Sequence, residues 1–167
     1  METKPQKNEK LEKVRKMVGD IRIAMMTTVN DEGQLMSRPM AALEMDEDAT
    51  IWFFTQKTSP KVAQIEQHER QVNLAFVNVS DADYVSISGT ADEIDDRAKI
   101  DELWNPQAKA WFPNGKDDPN LTLLRVHTHM AEYWDSNDST MVRLFQQASA
   151  ALTGTVPKMG ENEKVYN

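Results

Sequence analysis

The feature that most constrains the fold is a series of short strand-like segments separated by compact turns. Five such segments, rich in β-branched, aliphatic and aromatic residues, cover residues 21–29, 34–45, 51–55, 71–79 and 84–94. The turn Asn30-Asp31-Glu32-Gly33 places glycine where a positive φ is needed, and Ser80-Asp81-Ala82-Asp83 is a second polar turn. Because short hairpins join antiparallel strands, we expect a mainly β fold, an antiparallel barrel that is closed or nearly closed and flanked by helices.

Helical patterns are shorter and lie between or around these strands. Apolar residues at helical spacing predict helices over 11–19, 60–69, 95–104 (with Asp95 as the cap) and 139–152. Residues 121–134 are typical of one long bent strand or of two short ones. The length of 167 residues favours a single domain. We place it at residues 11–152, after a disordered lead over 1–10 and before a flexible tail over 153–167.

Composition excludes several classes of function. The formal net charge of −8 argues against nucleic-acid or anionic-membrane partners, and the absence of cysteine excludes disulfides and thiolate chemistry. No segment has the pattern of a membrane span or a signal peptide, so we expect a soluble cytoplasmic protein. Glycine-rich nucleotide-binding loops and the hydrolase nucleophile motif do not occur. His127 and His129 alternate on a strand, but two imidazoles without a third ligand predict no metal site.

The candidate functional stretch is Ile51 to Ile65, where an aromatic strand leads into a helix. Ser59 is a suitable N-cap and Pro60 suits the first helical position. A helix N-terminus offers free backbone amides, while Thr55, Thr58 and Ser59 add hydroxyls and Lys57 and Lys61 add charge. This chemistry suits a phosphate monoester. The alternative, an ordinary capped helix with solvated lysines, remains open from this stretch alone.

A second candidate is Arg38, which the strand alternation places among apolar residues. Met36, Met40 and Ala42 share its predicted face, and a charge in such surroundings requires a partner. An anion bound near the helix start would provide one.

These motifs, taken together, carry a resemblance to a known family. The order Ser37-Arg38-Pro39-Met40, Phe54-Thr55, Ser59-Pro60-Lys61 and Glu132-Tyr133-Trp134 resembles the FMN-binding split barrel of the pyridoxamine 5′-phosphate oxidases. The Trp111-Phe112-Pro113 loop and the Asp117-Asp118-Pro119 sequence after it are similar to the general stress protein branch of that superfamily. The resemblance extends over residues 11–152.

The resemblance implies a homodimer that binds FMN in a groove between subunits. Arg38 and Lys61 would contact the phosphate, helped by Thr55 and Ser59. Met40 and Phe54 would lie along the cofactor. Pro39, Trp111 and Trp134 complete the set that the resemblance assigns to the cofactor, and it assigns no catalytic residue.

The chain departs from the oxidases at three places. Leu43 stands where they carry a basic residue, Pro60 stands where they carry arginine, and Arg143-Leu144-Phe145 lacks the histidine of their substrate motif. We therefore expect no oxidation of vitamin B6 phosphates.

Three functional readings follow. The first is an FMN-dependent oxidoreductase of unknown substrate, in which the protein positions the cofactor. The second is a flavin-binding or storage protein without turnover. The third is an empty dimeric barrel that acts as an interaction module.

Overall fold

The computed structural model describes residues 4–68, 70–135 and 161–166. The helices are α1 (Lys4–Ile21), α2 (Pro60–Gln67) and α3 (Arg97–Leu103), followed by a 3₁₀ helix over Pro106–Ala110. The strands are β1 (Ile23–Val29), β2 (Leu35–Met45), β3 (Thr50–Gln56), β4 (Gln71–Asn78), β5 (Asp83–Ile94), β6 (Leu121–Asp135) and β7 (Glu161–Tyr166).

Within the described residues, the strands form an antiparallel sheet that closes into a barrel. Its order is β3-β2-β1-β4-β5-β6, and the pairing of β3 with β6 closes it. The 15-residue strand β6 pairs with β3 along its first half and with β7 along its second half, while β5 follows its other edge. The prediction of an antiparallel barrel flanked by helices is therefore confirmed, and residues 121–134 belong to one strand.

Strand alternation separates the inside of the barrel from its outside. On β3, Ile51, Phe53 and Thr55 are buried inside, whereas Trp52 and Phe54 point outward. The interior core is covered by α1 through Val14 and Val18. A second apolar cluster lies outside the barrel, where Ile100, Phe112, Leu121 and Leu123 pack with Phe54.

The backbone requires glycine at positions 33 and 89. Gly33 has a φ of +77° in the β1–β2 turn, as its place in the turn predicted. Gly89 lies where the β5–β6 register shifts, and a Cβ there would meet the carbonyl oxygen of His127 at 2.1 Å. The close approach of the two strands therefore excludes any side chain at position 89.

Three local expectations differ from the structure. Helix α1 begins at Lys4 inside the expected disordered lead, since Gln, Lys and Glu there favour helix and Pro5 is tolerated in the first turn. Asp96, rather than Asp95, caps α3, because its carboxylate accepts the amide of Lys99. The expected flexible tail contains β7, which pairs through main-chain groups with the edge of β6.

The expected helix over 139–152 lies outside the described residues. Among the residues that are described, no helix is long and apolar enough to cross a membrane.

Candidate functional site

A cavity of about 660 Å³ opens at the side of the barrel, within the range usual for small-molecule sites. It lies between the middle of β2, the end of β3, the start of α2 and the 3₁₀ helix. Most of the residues that the sequence predicted for the cofactor line it: Arg38, Pro39, Met40, Phe54, Thr55, Ser59, Lys61 and Trp111. The fold therefore brings these separate motifs to one place.

Arg38 is half-buried and points into the barrel, as the alternation of β2 predicted. Its guanidinium donates to the Thr28 hydroxyl at 2.6 Å and to the Gln64 side-chain oxygen at 3.1 Å. These neutral partners orient the guanidinium without neutralising it. Burial accordingly lowers the pKa of Arg38.

Lys61 lies beside it in the first turn of α2. Its ammonium donates to the Ser59 hydroxyl at 2.7 Å. Burial, and secondly the positive charge of Arg38, lowers the pKa of Lys61 from the ordinary value of 10.5. In the described parts of the chain, no carboxylate pairs with either cation. Two like charges without a counter-ion form a site that favours an anion.

Thr55 supplies an unsatisfied polar atom at the same end of the cavity. Its side chain is only 3% exposed, and its hydroxyl has no hydrogen-bond partner in the structure. Leaving a buried hydroxyl unpaired is costly, so such an atom calls for an explanation. A phosphate oxygen would accept from Thr55, Arg38 and Lys61, so the residues present fit a phosphate monoester.

The helix start differs in detail from the expectation. Ser59 occupies the N-cap position of α2, but its side chain makes no capping hydrogen bond and instead accepts from Lys61. Lys57, which was also expected to supply charge, is held by Asp95 at 2.5 Å and does not line the cavity. The cationic end therefore depends on Arg38 and Lys61.

The rest of the cavity wall is mainly apolar. Met40 is buried, and Phe54 packs against Trp104 and Phe112 with ring centroids 5.7 and 6.3 Å away. Trp111 lies at the rim and is 78% exposed. A planar ring system suits this wall, and the free indole offers a further aromatic surface.

Trp134 is the one predicted cofactor residue that does not line the cavity. It lies on the outside of β6, opposite Tyr84 of β5, which is itself opposite Val77 of β4. An approach of Trp134 to a flavin would thus require a second subunit, and this approach stays a prediction.

Sequence reasoning missed Arg22, which lines the end of the cavity near Ala42 and Leu43. It was expected within the first strand, but it stands between α1 and β1 with a φ of 67°. A positive φ outside glycine is uncommon, and a lone arginine beside the apolar β1 pattern was the available signal. Gln64 was also missed, because its contact with Arg38 joins α2 to β2 between residues 26 positions apart in the sequence.

His127 and His129 lie away from this cavity. The Nε2 atom of His127 is 3.7 Å from the Asp92 carboxylate, and that of His129 is 3.2 Å from the Thr90 hydroxyl. No group of three metal-ligating side chains occurs among the described residues.

The barrel and its cationic side cavity define a split-barrel protein. A sequence model described as "Pyridoxamine 5′-phosphate oxidase like" matches residues 9–158, and the chain belongs to that family.

Relatives within the family include general stress proteins. The chain is 28% identical over 137 residues to General stress protein 26 of Bacillus subtilis, covering 80% of this chain and 94% of the relative. It is 28% identical over 174 residues to Protein bli-3 of Neurospora crassa, covering 96% of this chain and 83% of that protein. The predicted relationship to the general stress protein branch is confirmed.

A solved structure of a general stress protein has a similar fold. The general stress FMN/FAD binding protein from Xanthomonas citri superimposes with a TM-score of 0.66 at 37% identity, covering 78% of this chain and 92% of that one.

Proposed function

We propose that this protein binds FMN, with the phosphate held between Arg38 and Lys61. The observation that carries the proposal is the pair of cations without a carboxylate partner among the described residues, beside the unpaired hydroxyl of Thr55. The name of the Xanthomonas citri protein, which includes FMN/FAD binding, supports a flavin. FMN is favoured over riboflavin because its phosphate supplies the charge that this end of the cavity lacks.

Other residues of the cavity would orient the cofactor. Met40 and Phe54 provide an apolar wall for the ring system, and Trp111 can cover it from the rim. FMN, when bound, supplies the capacity to take up and release electrons. The protein's part is to bind, orient and shield it. On this basis we propose a flavin-dependent oxidoreductase whose substrate is not identified.

A flavin-holding role without turnover is the second candidate, and one observation favours it. The described residues that line the cavity include no Asp, Glu, His or Tyr, and Lys61, which can exchange a proton, lies at the end proposed for the phosphate.

A visible spectrum of the purified protein with added FMN tests the proposal. Binding should shift and sharpen the flavin absorption bands and retain one FMN per chain after gel filtration. A protein that retains no flavin would contradict the proposal and favour the empty barrel. Addition of NADH or NADPH under anaerobic conditions then separates the two candidates, since bleaching of the flavin is expected only of an oxidoreductase.

We further propose that the FMN-loaded protein does not oxidise pyridoxamine 5′-phosphate. Leu43 and Pro60 line the cavity where the oxidases carry cations, which leaves less charge for a second phosphorylated ligand. Assay of pyridoxal 5′-phosphate formation in air should show no turnover. Rates of about 1 per second or more, ordinary for an enzyme, would contradict this.

Finally, we propose a homodimer formed through the outer apolar face, defined here as Ile23, Met25, Pro39, Ala41, Ala75, Val77, Tyr84 and Trp134. Met25 lies in register between Pro39 of β2 and Ala75 of β4, and the row through Val77 and Tyr84 leads to Trp134 of β6. Ile23, Met25 and Val77 are 53%, 43% and 47% exposed. Because Ile23, Pro39 and Ala41 also line the cavity, a second copy seated on this face would border the cofactor.

A further inference from the structure

The cavity has a third cation, Arg22, at the end opposite to Arg38 and Lys61. The backbone carbonyl of Arg22 accepts a hydrogen bond from the amide of Ala42 at 2.7 Å. Ala42 is four residues beyond Arg38 on β2, which corresponds to about 13 Å along a strand. Arg22 and Arg38 therefore stand at the two ends of one cavity, with Met40 and Phe54 between them.

Arg22 has the properties of a charge that is available to a ligand. It is exposed, and no ion pair within the described residues involves its guanidinium. Its backbone is in the left-handed region, with a φ of 67°, fixed by hydrogen bonds of its amide to Val18 and of its carbonyl to Ala42. Backbone strain at such a position is sustained by the surrounding structure. The side chain is thus attached at a fixed point of the cavity wall.

We propose that Arg22 stabilises the negative charge that the flavin ring acquires on reduction. This inference rests on the proposed binding of FMN with its phosphate at Arg38 and Lys61, which leaves Arg22 near the ring end. Two electrons and one proton convert the oxidised ring into a reduced ring with one negative charge, and a second proton makes it neutral. A cation at that end favours the anionic form.

Arginine suits this role because it does not act as a proton donor under ordinary conditions. Arg22 would supply charge alone, and the single proton would come from solvent. This agrees with a cavity whose described lining contains no carboxylic acid, imidazole or phenol. Reduction would then need no dedicated acid at the ring end of the cavity.

The test is anaerobic titration of the FMN-loaded protein with dithionite, a two-electron reductant in its overall action, beside a reference dye. The variants are Arg22→Asn, which suits a positive φ, and Arg22→Lys, which keeps the charge. Arg70→Asn is the matched control, because Arg70 is also exposed, has a φ of 61°, accepts a strand amide through its carbonyl and does not line the cavity.

We expect Arg22→Asn to weaken binding of reduced FMN about tenfold relative to oxidised FMN, which lowers the two-electron midpoint potential by about 30 mV. The Arg22→Lys variant should recover most of this difference, and Arg70→Asn should match the unaltered protein. The pH above which reduction takes up one proton instead of two should rise in Arg22→Asn, because the anionic ring has lost its partner.

Equal midpoint potentials in Arg22→Asn and the unaltered protein, with FMN bound to both, would overturn the inference and leave the proposed function intact. Failure of the unaltered protein to bind FMN would overturn both. A lowered potential in Arg22→Lys equal to that in Arg22→Asn would also contradict the inference, since it would show that charge is not the cause.

Discussion

Arg38 is the residue on which the phosphate assignment depends most directly. Its guanidinium is oriented by Thr28 and Gln64, so it is already positioned for an anion. We expect FMN to bind more tightly than riboflavin, and Arg38→Ala to cost about 2 kcal/mol of FMN binding, roughly thirtyfold, since hydrogen bonds to charged groups are the stronger ones. Riboflavin affinity should change little.

Isothermal titration calorimetry with both ligands measures this difference. Arg70→Asn serves as a control, because that arginine is exposed, lies outside the cavity lining and has a φ of 61° that asparagine tolerates. An unchanged FMN dissociation constant in Arg38→Ala would show that the phosphate lies elsewhere.

Lys61 gives the site a dependence on pH. Its lowered pKa means that the ammonium of the ligand-free protein loses its proton below 10.5, the ordinary lysine value. A bound phosphate dianion stabilises the protonated form of Lys61. Where the Lys61 of the ligand-free protein has lost its proton, FMN binding takes one up, so the affinity must fall as the pH rises. We expect FMN affinity to increase up to about pH 7 as the phosphate loses its second proton, and to fall again at alkaline pH.

Affinity measured by fluorescence between pH 5 and 10 checks this profile. Lys61→Arg should abolish the alkaline fall, because a guanidinium keeps its charge there. An alkaline fall of the same size in both proteins would assign the effect to another group.

At the scale of secondary structure, strands β3 and β6 place two buried threonines directly opposite each other. The Thr122 hydroxyl donates to the carbonyl of Ile94 at 3.1 Å, whereas that of Thr55 has no partner in the structure. Replacing an unpaired buried hydroxyl by a methyl group is neutral or stabilising. Replacing a paired one is destabilising, because its acceptor is left without a hydrogen-bond donor.

Thr55→Val should therefore keep or raise the stability of the ligand-free protein, by up to about 1 kcal/mol, while weakening FMN binding. Thr122→Val should do the reverse, with lower stability and unchanged binding. Urea unfolding of the ligand-free proteins and FMN titration measure the two effects. Loss of stability in Thr55→Val, with FMN binding retained, would show that its hydroxyl has a structural partner rather than a ligand.

Much of the fold could be predicted from local pattern, because turn residues and strand alternation act over short distances. Gly33 and the inward face of Arg38 are examples. Strand β7 could not be predicted in the same way, since it forms by pairing with the open edge of β6 and needs no strong pattern of its own. The helix cap moved from Asp95 to Asp96 because adjacent acidic residues are equivalent in a sequence pattern.

The candidate site likewise contains residues that local pattern predicted and residues whose role depends on contacts between distant parts of the chain. The sequence predicted Arg38, Thr55, Ser59 and Lys61 from their types and spacing, and the barrel brings them to one cavity. It misassigned Lys57, because the competing Asp95 comes from a distant part of the chain. The contribution of Arg22 depends on the junction between α1 and β1, because the sequence pattern placed this residue within the first strand.

For the whole molecule, the outer apolar face and the cavity share part of their surface. An exposed apolar surface of this kind is costly in water, and a second copy would cover it by two-fold symmetry. Trp134 lies at one end of the face. At the other end, Ile23, Pro39 and Ala41 belong both to the face and to the lining of the cavity. The predicted place of Trp134 beside a flavin therefore depends on the dimer.

Dimerisation and FMN binding should accordingly be linked. If the cofactor contacts both subunits, added FMN stabilises the dimer by mass action, raises its melting temperature and opposes dissociation on dilution. Sedimentation at micromolar protein should give a species of twice the 19.0 kDa chain mass.

Met25→Glu, which adds a charge to the face without lining the cavity, should give monomers and weaken FMN binding. Gln67→Glu, which adds the same charge on the exposed side of α2, should do neither. A monomeric Met25→Glu protein with undiminished FMN affinity would show that each chain holds the cofactor alone, and would remove the reason for placing Trp134 near it.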